Sequence, residues 1–242
     1  MILLGSCSSK KDVIYLQNSD NFKPAISSYK DHIISPGDIL KIKVNTALEE
    51  TNIQFNGAMG QLTPNSSEIL KLGGYNVSSN GYITFPYLGK IKLSGFNINS
   101  AEEIIYKALL DSNQLIDHNV SIRLLNKKFT FLGEINKPGT YTFYDDNINF
   151  FTALGIAGDL TINGKRNDIK LIRNQDGISK IFKIDLTLSE TLNSDFFQVK
   201  SGDVFIVNPN STRVKNAGII GNSGTLLSLL SFVLSSIIVI NN

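Results

Sequence analysis

The sequence predicts an α+β protein: two small units, each of several strands and one helix, followed by an uncharged apolar helix. Three observations carry this. Short runs rich in Ile, Val, Phe and Tyr are broken by Gly-Asp, Asn-Gly and Pro-Gly turns, the patterning of strands and hairpins. Two stretches, around Ile104 and around Leu154, switch to apolar spacing of helical period. No charged residue follows Lys215 in a chain of 242 residues.

The chain opens on "MILLGSCSSKKD". Leu4-Gly5-Ser6-Cys7 has the form of a bacterial lipobox, in which an apolar residue and two small ones precede a cysteine that becomes acylated. The small residues let a peptidase reach the backbone, and the thiol takes the lipid. The apolar stretch before Cys7 is shorter than a signal peptide, so the true start is expected upstream. Ser8, Ser9, Lys10 and Lys11 fit a polar tether, and residues 8–28 lack periodicity.

The first unit is expected over residues 29–127. Pro36-Gly37-Asp38 is turn chemistry, and it feeds a strand in which Ile39, Ile42 and Val44 sit among lysines. Residues 45–74 are polar and glycine-rich, without regular structure. Asn80-Gly81 is a hairpin signal between "YNVSS" and "YITFPYLGKIKL". Asn99-Ser100 offers an N-cap, with Glu102 and Glu103 in the first helical turn, where the helix dipole favours acids. Ile104, Ile105, Ala108 and Leu109 line one face of a helix ending near Asp111, and "NVSIRLL" returns as a strand.

A second unit is expected over residues 128–210. Two β-rich runs flank Lys137-Pro138-Gly139. Phe150, Phe151, Leu154 and Ile156 take helical spacing, and Gly158 supplies a C-terminal stop. Asp176-Gly177 joins two strands, and "VKSGDVFIVNP" adds another, giving four to five strands wrapped on one helix.

Residues 211–242 form a linker and the apolar tail. Thr225 to Ile240 spans 16 residues, or roughly 24 Å as a helix. That is short for an average bilayer and less short for the thinner bacterial outer membrane. Thr225, Ser228, Ser231, Ser235 and Ser236 fall within an arc of roughly 140° at about 100° per residue, although Phe232 and Val239 share it. Three readings are open: a membrane-spanning helix given by each subunit to a pore, a simple anchor with serines packed on another helix, or a buried core helix.

Composition excludes several classes. Net charge is +2 with 23 basic and 21 acidic residues, well mixed, so no nucleic-acid partner is expected. One cysteine rules out an internal disulfide framework. Without Trp there is no Trp platform for sugars, though eight Tyr remain. His32 and His118 are far apart and lack the carboxylate spacing of a triad or metal site. Adjacent Asp145 and Asp146 sit in turn-like "YDDN", and "GIAGDLTING" lacks the context of a phosphate cradle. The expectation is a non-enzyme with no cofactor and no metal.

In order, "SPGDILKIKV", "NGYITFPYLGKIKLSGFN", "SAEEIIYKALL", "NVSIRL", "FLGEINKPGTYTF" and "ALGIAGDL" resemble the bacterial outer-membrane polysaccharide export proteins of the Wza type. The resemblance covers roughly residues 29–210, and "GYITFPYLG" is its most specific part. It implies a polysaccharide export domain followed by one β-grasp domain of the SLBB kind, where larger members carry two. The motif residues Gly37, Asp38, Gly81, Pro86, Gly89, Gly133, Pro138, Gly139 and Gly158 are expected to serve turns and close backbone approaches rather than catalysis. The resemblance further implies an octamer-like homo-oligomeric ring, lipid-anchored in the outer membrane with its body in the periplasm. Its implied partners are the polysaccharide itself, an inner-membrane polysaccharide copolymerase or tyrosine kinase, and a polymerase. The rival reading is a membrane-anchored periplasmic saccharide-binding module that forms no pore.

Overall fold

The computed structural model describes residues 10–24, 31–46, 73–112, 117–145, 147–175, 177–216 and 223–240. Cys7, Asp146, Asp176 and most of the expected polar excursion lie outside these residues. The chain divides into two compact units. The first comprises Ser28–Lys128 with Thr142–Asp146, and the second Met1–Ser27 with Phe129–Tyr141 and Asn147–Asn242.

In the first unit, β1 (Ile39–Thr46) lies between β2 (Tyr75–Asn76) and β5 (His118–Leu124), antiparallel to both. Alternation along β1 and β5 buries Leu40, Ile42, Val44, Val120, Ile122 and Leu124 on one face. Helix α1 (Ile98–Asp111) covers that face through Ala101, Ile105 and Leu109. Burying each such aliphatic side chain contributes about 1.5–3 kcal/mol.

Two local expectations shift. The Asn80-Gly81 turn forms, with Gly81 N donating to Ser78 O, but it does not join paired strands. β2 pairs with β1, while β3 (Tyr82–Phe85) pairs with β4 (Gly89–Lys92) across Pro86–Leu88. The α1 cap is Asn97 rather than Asn99, since the Asn97 side chain accepts from Ser100 N at 2.8 Å. Glu102 and Glu103 therefore stand in the second turn. Glu102 serves β5 instead, accepting from Ile122 N at 2.8 Å.

In the second unit, five strands run in the order β7-β6-β10-β8-β9. They are β6 (Lys128–Gly133), β7 (Gly139–Thr142), β8 (Gly164–Gln175), β9 (Ile178–Ile184) and β10 (Val204–Pro209). β6 and β10 are parallel, while β8 is antiparallel to both β10 and β9. Helix α2 (Phe150–Ile156) is capped by Asn149, which accepts from Thr152 N. Its Phe150 packs edge-on against Phe205, and Phe205 stacks on Phe131. Within this core Arg173 and Asp203 form a buried ion pair at 2.6 Å.

Residues 10–24, expected as part of a tether, are pinned to the second unit. Leu16 and Gln17 donate backbone hydrogen bonds to Leu186 and Thr187. Asn18 bridges Ser189 and Glu190, and the Tyr15 hydroxyl donates to Asp159.

Helices α3 (Ser211–Asn216) and α4 (Ser223–Ile240) follow. Here the expectation of a C-terminal membrane-spanning helix is corrected. Among the described residues no helix is long and apolar enough to cross a membrane. The 18 residues of α4 give about 27 Å at ~1.5 Å per residue, against a hydrocarbon core of about 30 Å. Its first turn, Ser-Gly-Thr, is also not apolar.

Candidate functional site

The surfaces open to a partner are best read from the outward faces of the two sheets, because strand alternation fixes what each presents. On the first unit, register sets Lys41 opposite Arg123, Lys43 opposite Ser121 and Asn45 opposite Asn119. Lys41, Lys43, Asn45, Asn119 and Arg123 are exposed. Neither Lys41, Lys43 nor Arg123 makes an ion pair among the described residues. On the second unit, Leu132 lies opposite Ile206, and Ile206 opposite Lys170. The next row runs Val204, Ile172, Ile181. Leu132 and Ile181 are 43% and 69% exposed, so this face is an apolar strip with a Lys170–Lys183 corner.

A shallow open groove of about 280 Å³ lies between α1 and β5, lined by Glu102, Glu103, Tyr106, His118, Asn119 and Val120. The His118 ring stacks on Tyr106 with centroids 4.4 Å apart, and its Nε2 lies 3.2 Å from Tyr106 O. His118 Nδ1 is buried without a partner. Glu103 is held by Lys107 at 2.6 Å, whose hydrogen bond and charge lower its carboxyl below the usual range. This is an aromatic shelf beside a paired carboxylate, with no nucleophile among the described residues that line it.

The residues singled out in the sequence are spread over both units rather than gathered. Gly37 and Asp38 form one turn, where the Asp38 carboxylate accepts from Ser35 N and meets His32 Nε2 at 2.8 Å. Gly81 has φ +84°, and a Cβ there would lie 2.6 Å from Ser94 Cβ. Pro86, Tyr87 and Gly89 turn the β3–β4 hairpin, with Tyr87 at φ +64° and Gly89 at +71°. Gly133 has φ +86°, and a Cβ there would overlap the Val207 carbonyl oxygen, so only glycine lets β6 and β10 approach. Pro138 and Gly139 lead into β7, and Gly158 at φ +77° follows α2. On α4, Ser228, Ser235 and Ser236 donate to the carbonyls of Gly224, Ser231 and Phe232 four residues back. Those hydroxyls are satisfied by their own helix, as serines in apolar helices commonly are. Ser231 is exposed, and the Thr225 side chain lies outside the described set.

Sequence reading missed both sheet faces as surfaces. The lysine alternation in "ILKIKVN" was visible, but its partner Arg123 becomes visible only through the β1–β5 register.

Residues 27–125 match the family described as "Polysaccharide biosynthesis/export protein". That stretch of the chain is similar to the family's polysaccharide export domain. The match covers the first unit's sheet, hairpin and helix, so the basic face and the Tyr106–His118 groove both lie within the matched residues. Two relatives carry the name "EPS I polysaccharide export outer membrane protein EpsA". The one from Ralstonia solanacearum is 26% identical over 140 residues, covering 56% of this chain and 36% of the relative. That from Ralstonia nicotianae is 31% identical over 106 residues, covering 42% of this chain and 27% of the relative. The aligned stretches thus span about a third of these relatives.

Proposed function

We propose that the chain is a lipidated subunit of an oligomeric outer-membrane channel that passes an extracellular or capsular polysaccharide from periplasm to cell surface. The observation that carries this reading is the export-family match over residues 27–125. The relatives' names, which specify polysaccharide export and the outer membrane, point the same way. Oligomerisation is supported by the apolar face of the second sheet. Leu132, Ile206, Val204, Ile172 and Ile181 form a strip that a second copy would bury, since a sheet apolar on both faces is normally covered on both.

The second unit takes the role of an SLBB-type β-grasp module, consistent with its parallel β6–β10 pair beside one helix. Acylation of Cys7 would hold this unit at the membrane through the clasp of residues 10–24. Transport is passive: a hydrated axis gives a hydrophilic polymer a route, and the driving force comes from inner-membrane synthesis and copolymerase partners. No bilayer crossing is assigned to α4.

The test is the native mass of the full-length lipidated protein in mild detergent, beside a Leu132→Glu/Ile181→Glu variant. Both positions are exposed, so folding should survive. A closed oligomer that the double variant reduces to monomer, with loss of surface polymer in cells, is expected. A wild-type monomer with saturable oligosaccharide binding would replace the channel with an anchored binding module.

A further inference from the structure

Charge in the first unit is sorted by element. Among its described residues the acids, Asp31, Asp38, Glu102, Glu103, Asp111, Asp117 and Asp145, lie on α1 or in loops, whereas Lys41, Lys43, Lys90, Lys92 and Arg123 lie on strands. No strand among the described residues of this unit carries an acid. The one cation on α1, Lys107, is already paired with Glu103. The unit's charges nearly balance by count, yet its strand surfaces are cationic only.

Cross-strand pairing sharpens this. Lys41 stands directly opposite Arg123, where side chains of an antiparallel pair start about 4.5–5.5 Å apart and like charges destabilise the sheet. That spacing is well inside the screening length of about 8 Å at physiological salt. Lys43 stands one step along on the same face, about 7 Å from Lys41. Folding alone gives no reason to oppose two cations on an exposed sheet when no acid among the described residues pairs with them.

We propose that this face is a contact surface for an acidic polysaccharide, with Lys41, Lys43 and Arg123 meeting its carboxylate or other anionic groups. Asn45, Asn119 and Ser121, interleaved on the same face, supply amide and hydroxyl partners for sugar hydroxyls. An anionic membrane surface fits less well. Membrane-facing basic patches alternate cations with apolar anchors, and here the neighbours are Asn and Ser. The inference rests on the export reading and deepens it: the exported polymer is anionic, and the export domain touches it along this sheet.

The experiment titrates the full chain in detergent with polygalacturonate fragments and with size-matched neutral dextran. Polygalacturonate should bind, more weakly as NaCl rises, and dextran should not. Lys41→Gln/Lys43→Gln/Arg123→Gln should weaken binding at least about tenfold, the product of three exposed ion pairs each worth roughly two- to fivefold. Because the variant relieves like-charge repulsion, its melting temperature should not fall, so lost binding cannot be lost folding. Lys165→Gln/Lys170→Gln/Lys183→Gln, which removes equal charge from the second unit, should change affinity by less than about twofold.

Equal binding of dextran, equal loss in both triple variants, or binding to phosphatidylglycerol vesicles but not to polygalacturonate would each overturn the inference. The two readings separate cleanly. A chain that assembles and supports surface polymer without binding polygalacturonate keeps the export role and loses this face. A monomer that supports no export yet binds polygalacturonate through these three residues keeps the face and loses the channel.

Discussion

The outward faces of the two sheets obey the same strand alternation and arrive at opposite chemistry. In the first unit the outward positions of β1 and β5 are Lys41, Lys43, Asn45, Asn119, Ser121 and Arg123. In the second, the outward positions of β6, β10, β8 and β9 include Leu132, Ile206, Val204, Ile172 and Ile181. One face carries cations and amides, and the other is largely apolar. A strand read alone reports which residues share a side. Only its neighbours in the sheet decide whether that side is a binding surface or an interface.

The inward faces differ as well. The first unit buries His118 and Lys127 beside its aliphatic and aromatic core, whereas the second buries the oppositely charged Arg173 and Asp203. Arg173 Nε and an NH2 group both donate to Asp203, and the remaining donors reach the carbonyls of Asp195 and Gln198. Asp203→Ala leaves a buried guanidinium without its counter-charge and should destabilise the second unit by about 3–5 kcal/mol. The corresponding Arg173→Met/Asp203→Leu double variant should recover most of that loss. Calorimetry should show the upper or lower of two transitions moving while the first unit's stays. A single transition shifting as a whole would show that the units unfold together, against the separation drawn here.

A smaller effect of opposite sign is expected on the basic face. Lys41→Glu converts the opposed Lys41–Arg123 pair to an attractive one and should stabilise the first unit by about 0.2–1 kcal/mol. Thermal melts at low and high salt would check it, since the gain should shrink as salt rises. A destabilised variant would mean that Lys41 supports the fold, which removes the reason for reading its placement as functional.

The smallest effect concerns the clasp. Burial first, then the hydrogen bond and charge of Asp159, push the Tyr15 phenol well above its usual range. A phenol whose folded value is raised stabilises the folded chain below its ordinary value and loses that contribution as pH rises past it. The clasp should therefore loosen above pH about 10, seen as faster amide exchange at Leu16 and Gln17. Tyr15→Phe should remove that pH dependence.

Turns were legible in the sequence because their physics is local. The Asn80-Gly81 turn, the glycine after α2 and the alternation of β1 each depend on a few neighbouring residues. Where two local signals competed, tertiary pairing chose between them. Asn97 and Asn99 both suit a cap, and Asn97 wins while also bridging to Ile33 and bonding Asp31. "YNVSS" and "YITF" read as hairpin partners, yet β2 extends the β1 sheet. The tail's lack of charge, and a length close to that of the thinner outer membrane, suggest a membrane span. Length corrects that, since the regular helix is shorter than the apolar core it would have to cross.

By itself, then, the sequence determined the α+β class, the positions of both main helices and most turns, and the resemblance that pointed to polysaccharide export. These follow from periodicity and turn chemistry, which are properties of short segments. The tertiary structure alone decided that residues 10–24 clasp the second unit, that Arg173 meets Asp203 across 30 residues, and that Arg123 faces Lys41. Each of these depends on strand register or on contacts between distant segments. Shifting a strand by one residue would turn every side chain to the other face, and no local signal records which register is adopted.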